Sequence, residues 1–204
     1  SGPADGRERP TQKWVDLSGQ LPQSPRSRGG LALINRGKYS YQAEGNQLTM
    51  TCLRSPIYAH HDPEQPREQE DYDYIDQGEQ EFTYRIFPHT DGWQQTELAR
   101  QAYQFNQPPI PVIETFHRGE LPAEASFLEV EADNVIVSVL KIAEDSDDII
   151  LRGFETDGKA VTARIKLTLL NRELDVDFKP FQIKTLRIPV SGEEQPEEVN
   201  LLEN

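Results

Sequence analysis

A 204-residue chain that is 35 % hydrophobic and 27 % charged can bury one large core or two small ones, and it is too varied to be disordered throughout. Its 35 Asp and Glu outnumber 21 Lys and Arg, and a net charge of −14 repels phosphate backbones and anionic lipid, so neither nucleic acid nor a membrane is expected as a partner. The single cysteine, Cys52, excludes an internal disulfide framework and a cysteine zinc cluster, while the lack of any bilayer-length apolar run and the polar residues 1–30 predict a cytoplasmic protein.

The charge is uneven. Residues 1–54 hold 8 basic and 4 acidic residues, residues 55–100 hold 3 and 11, and residues 101–204 hold 10 and 20. Residues 1–12 and 18–29 are rich in Gly, Pro, Ser, Gln and Arg and read as linker. Between them Lys13-Trp14-Val15-Asp16-Leu17 reads as a short anchored segment, its indole plugged into the folded part.

From Gly30 the pattern is β. Leu31–Ile34 is an apolar run, and Lys38–Ala43 and Leu48–Arg54 alternate around a turn at Glu44–Gln47, which predicts a hairpin. Residues 55–78 read as a long acidic loop. Glu81–Phe87 alternates again and is stopped by Pro88. Asp91, three residues before Gln94, is a helix-start pattern, and the helix is expected to run to about Phe105, before Pro108 and Pro109. Five further strands follow at Phe127–Glu131, Val135–Ile142, Ile149–Phe154, Val161–Leu170 and Phe181–Val190, separated by Asp-, Asn- and Gly-rich turns. Short strands with no helix between them predict an antiparallel sandwich.

No complete active site emerges from residue types alone. His60-His61-Asp62 has zinc-ligand residues, but adjacent histidines on an extended loop point in opposite directions, so a solvated loop is the favoured reading. His89-Thr90-Asp91 reads as a strand end and helix cap between Pro88 and Gly92. Thirty-five carboxylates make chance acid pairs certain, no nucleophile elbow or phosphate loop occurs, and Cys52 inside a strand reads as a small buried hydrophobe. Tyr39, Tyr41, Tyr58, Tyr72, Tyr74, Tyr84 and Trp93 offer rings for a sugar platform, with cross-strand packing an equal reading for Tyr39, Tyr41 and Tyr84.

Taken in order, several motifs resemble the C-terminal β region of glycoside hydrolase family 38, the α-mannosidases. They are Gly30-Leu31-Ala32-Leu33-Ile34-Asn35-Arg36-Gly37-Lys38-Tyr39-Ser40-Tyr41, Leu53-Arg54-Ser55-Pro56, Phe82–His89, Phe105-Asn106-Gln107-Pro108, Ser126-Phe127-Leu128 and Pro180–Leu186. Lys13–Ser18 and Val199–Glu203 resemble the entry and the close of that region. The first motif departs from its usual Asn-Asp/Asn-x-Lys-Tyr-Gly-Tyr form at Arg36, Gly37 and Ser40. The resemblance implies antiparallel β-sandwich layers, galactose-mutarotase-like or Ig-like, with one short helix.

It also implies that chemistry lies elsewhere: a zinc-holding barrel with an Asp nucleophile would precede residue 1, so no catalytic, metal or cofactor residue is expected in this chain. The implied partners are the enzyme's own N-terminal catalytic domain and a mannose-containing oligosaccharide. Arg54 matches the arginine of the Leu-Arg-Ser-Pro motif and is expected to reach toward sugar or a barrel carboxylate, with Tyr39 and Tyr58 as companions. Pairing of Arg54 with the acidic 64–81 segment is the competing reading. The expected partition is linker 1–29, a first sandwich part 30–110 with its helix at about 91–105, a connector 111–126, and a second part 127–204. A free-standing carbohydrate-binding sandwich, or a plain interaction domain, is the alternative.

Overall fold

In the computed structural model residues 4–22, 24–58, 67–120, 122–191 and 194–204 are described. The chain divides into two compact units, Ser1–Pro109 and Ile110–Asn204. The strands are antiparallel throughout, and the fold class is the mostly β one expected.

The first unit contains β1 (Asp5–Pro10), β2 (Trp14–Leu21), β3 (Ser24–Arg36), β4 (Ser40–Glu44), β5 (Gln47–Met50), β6 (Thr83–Thr90) and α1 (Leu98–Asn106). They form two three-stranded sheets, ordered β2-β3-β6 and β1-β4-β5. Leu98, Ala102 and Phe105 recur at helical spacing on α1, and that stripe packs on Ala32 and Ile34 of β3, with Trp14, Phe87 and Trp93 around it. Asn106 fastens the end of the helix, its Nδ2 donating to Asn35 O and Ala102 O at 2.9 Å each.

Three expectations are corrected here. The stretches read as linker are largely strand: Ser18 to Gln20 pair residue by residue with Gly30 back to Arg28, continuing the pairing of the anchored Trp14–Leu17, and Glu8 to Pro10 pair with β4. Where β3 leaves that stretch its glycines mark close approach: a Cβ on Gly29 would lie 3.0 Å from the Leu21 side chain. A Cβ on Gly30 would lie 2.7 Å from Ser18 Cβ and 2.8 Å from the His89 ring. Pro88 does not stop β6, which continues to Thr90. It is an edge strand, the place where a missing N–H is tolerated. The helix begins at Leu98, because Asp91 adopts a left-handed φ of 65° rather than a cap conformation and residues Trp93–Gln95 form a 3₁₀ turn. The hairpin is present as expected, Gly45 taking φ 56° at its tip.

The second unit contains β7 (Leu128–Glu131), β8 (Val135–Ile142), β9 (Ile149–Glu155), β10 (Val161–Leu167), β11 (Arg172–Phe178), β12 (Ile183–Ile188) and β13 (Glu197–Val199). Sheets β11-β10-β7 and β13-β12-β9-β8 enclose one core of Val135, Leu151, Ala163, Ile165, Leu167, Val176, Phe178, Leu186 and Ile188. Alternation sets the faces: Ala163, Ile165 and Leu167 turn inward, while Arg164 and Lys166 turn out to pair with Glu173 and Glu131. Strands β11 and β13 go beyond the sequence expectation.

The last residues are latched to this sandwich. Arg152 donates to Leu201 O at 2.9 Å and Arg187 to Glu203 O at 2.6 Å. The buried Glu203 side chain meets Lys141 Nζ at 2.8 Å and accepts from the Glu144 N–H at 3.0 Å. The hydrogen bond from Lys141, then that from Glu144, hold its carboxyl below the ordinary value of 4.5. A lowered carboxyl stabilises the fold above its unfolded value, and the contribution fades as pH falls through the folded one. Glu203→Gln is therefore expected to lower the Tm at pH 7, the gap to the parent narrowing at acid pH as the parent's carboxylate is titrated through its lowered folded value. Thermal melts at neutral and at acid pH check this, and an equal gap at both contradicts it.

Candidate functional site

The β1-β4-β5 sheet gathers two of the three residues singled out by sequence. Thr51 N donates to Ser40 O at 3.1 Å, extending the ladder past β5 so that Tyr39 and Arg54 flank the same end of it. Glu8 on β1 ties that end together: the Ser40 and Thr51 hydroxyls donate to its Oε1 at 2.8 and 2.7 Å. The Thr51 bond first, then the Ser40 bond, and more weakly the Arg54 charge hold the Glu8 carboxyl below its ordinary value, against an upward push from burial. Arg54 itself is exposed. Among the described residues no carboxylate lies within ion-pair distance of it, and its positive charge acts on Glu8. Glu8 lies where the sequence reads as linker, and nothing in Asp5–Pro10 marks it before its pairing with β4 is known.

Tyr39 is 63 % exposed and its backbone carbonyl accepts from Thr11 N at 2.9 Å. Asn35, fully buried, shapes the preceding turn by accepting Lys38 N at 3.2 Å on its side-chain oxygen. Tyr58 is held separately. Its N–H donates to Asp73 O at 2.7 Å, and Ile57 bridges Tyr74, so residues 55–58 lie against 73–77. His60, His61 and Asp62 fall outside the described residues.

Beneath the hairpin lies a cavity of about 300 Å³ lined by Leu33, Lys38, Leu48, Met50, Cys52 and Phe82. Cys52 is half-buried there, its thiol donating to Met50 O at 3.6 Å, so the expected small buried hydrophobe is a cavity-lining one. His89 is taken by Asp16, Nε2 to Oδ1 at 2.7 Å, both side chains almost wholly buried. Among the described residues no group of three or more His, Cys, Asp or Glu could hold a metal ion. Trp93 meets Trp14, ring centroids 5.1 Å apart.

Residues 134–186, within the second sandwich, match the family described as Glycosyl hydrolases family 38 C-terminal beta sandwich domain. Over those residues the chain is similar to the C-terminal β-sandwich domain of that family. It is 28 % identical over 164 residues to Alpha-mannosidase G of Dictyostelium discoideum, covering 78 % of this chain and 13 % of that protein. It is 26 % identical over 200 residues to Alpha-mannosidase 2C1 of Mus musculus, covering 85 % and 17 %. The crystal structure of an alpha-mannosidase from Enterococcus faecalis V583 shares the fold, with a TM-score of 0.66 at 19 % identity over 91 % of this chain and 22 % of that one. The chain thus spans less than a fifth of the length of the curated relatives it matches.

Proposed function

We propose that this chain is the accessory C-terminal part of a longer, cytoplasmic α-mannosidase that hydrolyses mannose-containing oligosaccharides with retention. In this reading it packs on the enzyme's own N-terminal catalytic domain and forms part of the active-site wall. The observation that carries the reading is Arg54: an exposed guanidinium beside Glu8, left unneutralised by the described acids of residues 67–81, on a sheet end that also presents the Tyr39 ring. A guanidinium fork suits either vicinal sugar hydroxyls or a carboxylate of the catalytic domain, and the rings of Tyr39 and Tyr58 suit the apolar face of a sugar. Exposed Ile110, Val112, Ile113 and Phe116 supply apolar area of the kind that an adjoining domain covers.

Zinc enters this reading only with the catalytic domain. The described residues of this chain do not fit it, and no step of the hydrolysis runs through them. Their contribution is to bind, orient and wall off.

In the full enzyme, Arg54→Ala is expected to reduce kcat/KM for an aryl α-mannoside by about 10- to 100-fold, the value of one charge-assisted hydrogen bond in the transition state. Arg54→Lys, which keeps the charge and loses the fork, falls between. Unchanged kcat/KM in Arg54→Ala removes the residue from the wall.

A further inference from the structure

The first unit holds a second candidate site that shares no residue with the Arg54 cluster. An open cleft of about 970 Å³ is lined by Trp14, Asp16, Arg28, Asp91, Trp93 and Gln94. Its size is that of a small-molecule site. The two indoles are tilted 48° to one another at 5.1 Å, each half-buried against the α1 core so that the rest of the ring is available to the cleft. Asp16 is fixed from behind by His89 at 2.7 Å. Asp91 is held in the left-handed region at φ 65°, its N–H donating to Arg28 O at 2.9 Å. A non-glycine residue in that conformation costs free energy, and such positions concentrate at binding sites.

The mixture of groups narrows the ligand. Indole faces take an apolar C–H surface, Asp91 accepts hydrogen bonds, Arg28 and Gln94 donate them, and the buried Asp16 carboxylate adds negative charge behind the indoles. A phosphate or other anion would meet two carboxylates, and a cation would meet Arg28. A neutral ring with one apolar face and a rim of hydroxyls that both donate and accept fits these residues. We propose that this cleft binds a pyranoside, its C–H face on Trp93 or Trp14 and its hydroxyls on Asp91, Arg28 and Gln94. The site stands whether or not Arg54 belongs to an active-site wall.

Trp14 and Trp93 are the only tryptophans in the chain and both line this cleft, so indole fluorescence of the folded protein senses a ligand there. Titration with methyl α-mannopyranoside and methyl β-galactopyranoside is expected to give a saturable change with at least one of them, with a Kd of the order of 1 mM for a ligand of that size. Asp91→Gly keeps the backbone, since glycine adopts that φ without strain, and removes the carboxylate; affinity should fall about tenfold at an undiminished Tm. Arg28→Ala should weaken binding similarly, and Arg54→Ala should leave it unaltered, which separates this site from the one proposed above. The proposal is overturned if neither pyranoside saturates, if affinity survives both Asp91→Gly and Arg28→Ala, if Arg54→Ala abolishes binding, or if tetramethylammonium saturates the signal and the sugars do not.

Discussion

Replacing Glu155 by alanine is expected to destabilise the second sandwich by about 3 kcal/mol or more, and to lower its Tm by about 12 °C or more. The reason is the number of donors that converge on one carboxylate. Glu155 ends β9, is 2 % exposed, and accepts on Oε1 from Asn134 Nδ2 and Asp157 N at 2.7 Å each. Its Oε2 accepts from Gly158 N and Phe181 N, both at 2.8 Å. Three separate connections, before β8, between β9 and β10, and between β11 and β12, are therefore pinned by a single side chain. Truncation leaves backbone N–H groups in half-buried turns without their acceptor, and each such group costs free energy that a neutral neighbour does not return.

The same carboxylate makes the sandwich acid-sensitive. Burial pushes the Glu155 carboxyl up, but the hydrogen bonds from Phe181, Asp157, Asn134 and Lys159 together outweigh it, and the net shift is downward. Stability from Glu155 is thus present at neutral pH and lost as pH falls through the lowered folded value. Far-UV melts of Glu155→Gln across that range should show a penalty at pH 7 that shrinks on acidification. The amide protons of Asp157, Gly158 and Phe181 should titrate with Glu155 in the parent. A penalty that does not depend on pH, or amides that ignore the titration, would show that the ionised acceptor is not what holds the turns.

How far each feature could be read from sequence follows from the range of the interactions that define it. The centre of β3 was legible in Leu31–Ile34 because local apolar content suffices, whereas its leading flank, Ser24 to Gly30, is strand only because Ser18 to Leu21 lie opposite. Local composition there says linker, and long-range pairing overrides it. Strand β11 carries a clean inward alternation of Leu174, Val176 and Phe178, obscured by the outward Glu173, Asp175 and Asp177. The end of the helix was legible in its stop before Pro108. Its start was not, since Asp91 in a left-handed conformation has the same letters as a capping Asp. Within the candidate site, Tyr39 was legible as one ring among many, and Arg54 was reachable only through family resemblance. Glu8, which joins them, is invisible until β1 is known to pair with β4. The cleft between the indoles escaped the sequence for the same reason: Trp14 and Trp93 are 79 positions apart in a chain whose turns, not whose motifs, bring them to 5.1 Å.

The second large effect is expected at the Asp16–His89 pair, which joins β2 and β6 across the strand between them. The two side chains are 5 % and 3 % exposed, and their 2.7 Å hydrogen bond passes over Gly30, where the absence of a Cβ leaves room for the imidazole. His89 Nδ1 is buried without a partner, so Asp16 is the ring's one polar anchor among the described residues. Removing that anchor leaves the imidazole buried with neither nitrogen bonded. Asp16→Ala is accordingly expected to cost the first unit about 3 kcal/mol, and Asp16→Asn, which still accepts from Nε2, distinctly less. In a double-mutant cycle Asp16→Ala and His89→Ala should be non-additive by about 1.5–3 kcal/mol, because once either partner is gone the other has little left to lose. Denaturant unfolding followed by indole fluorescence measures this directly, both tryptophans lying in the first unit. Gly30→Ala provides an independent handle. Its Cβ would meet the ring at 2.8 Å, so it should destabilise the parent more than it does the His89→Ala background, where only the Ser18 contact at 2.7 Å remains. Equal costs in the two backgrounds, together with additivity in the cycle, would mean that the pair fills space at this crossing without fastening it.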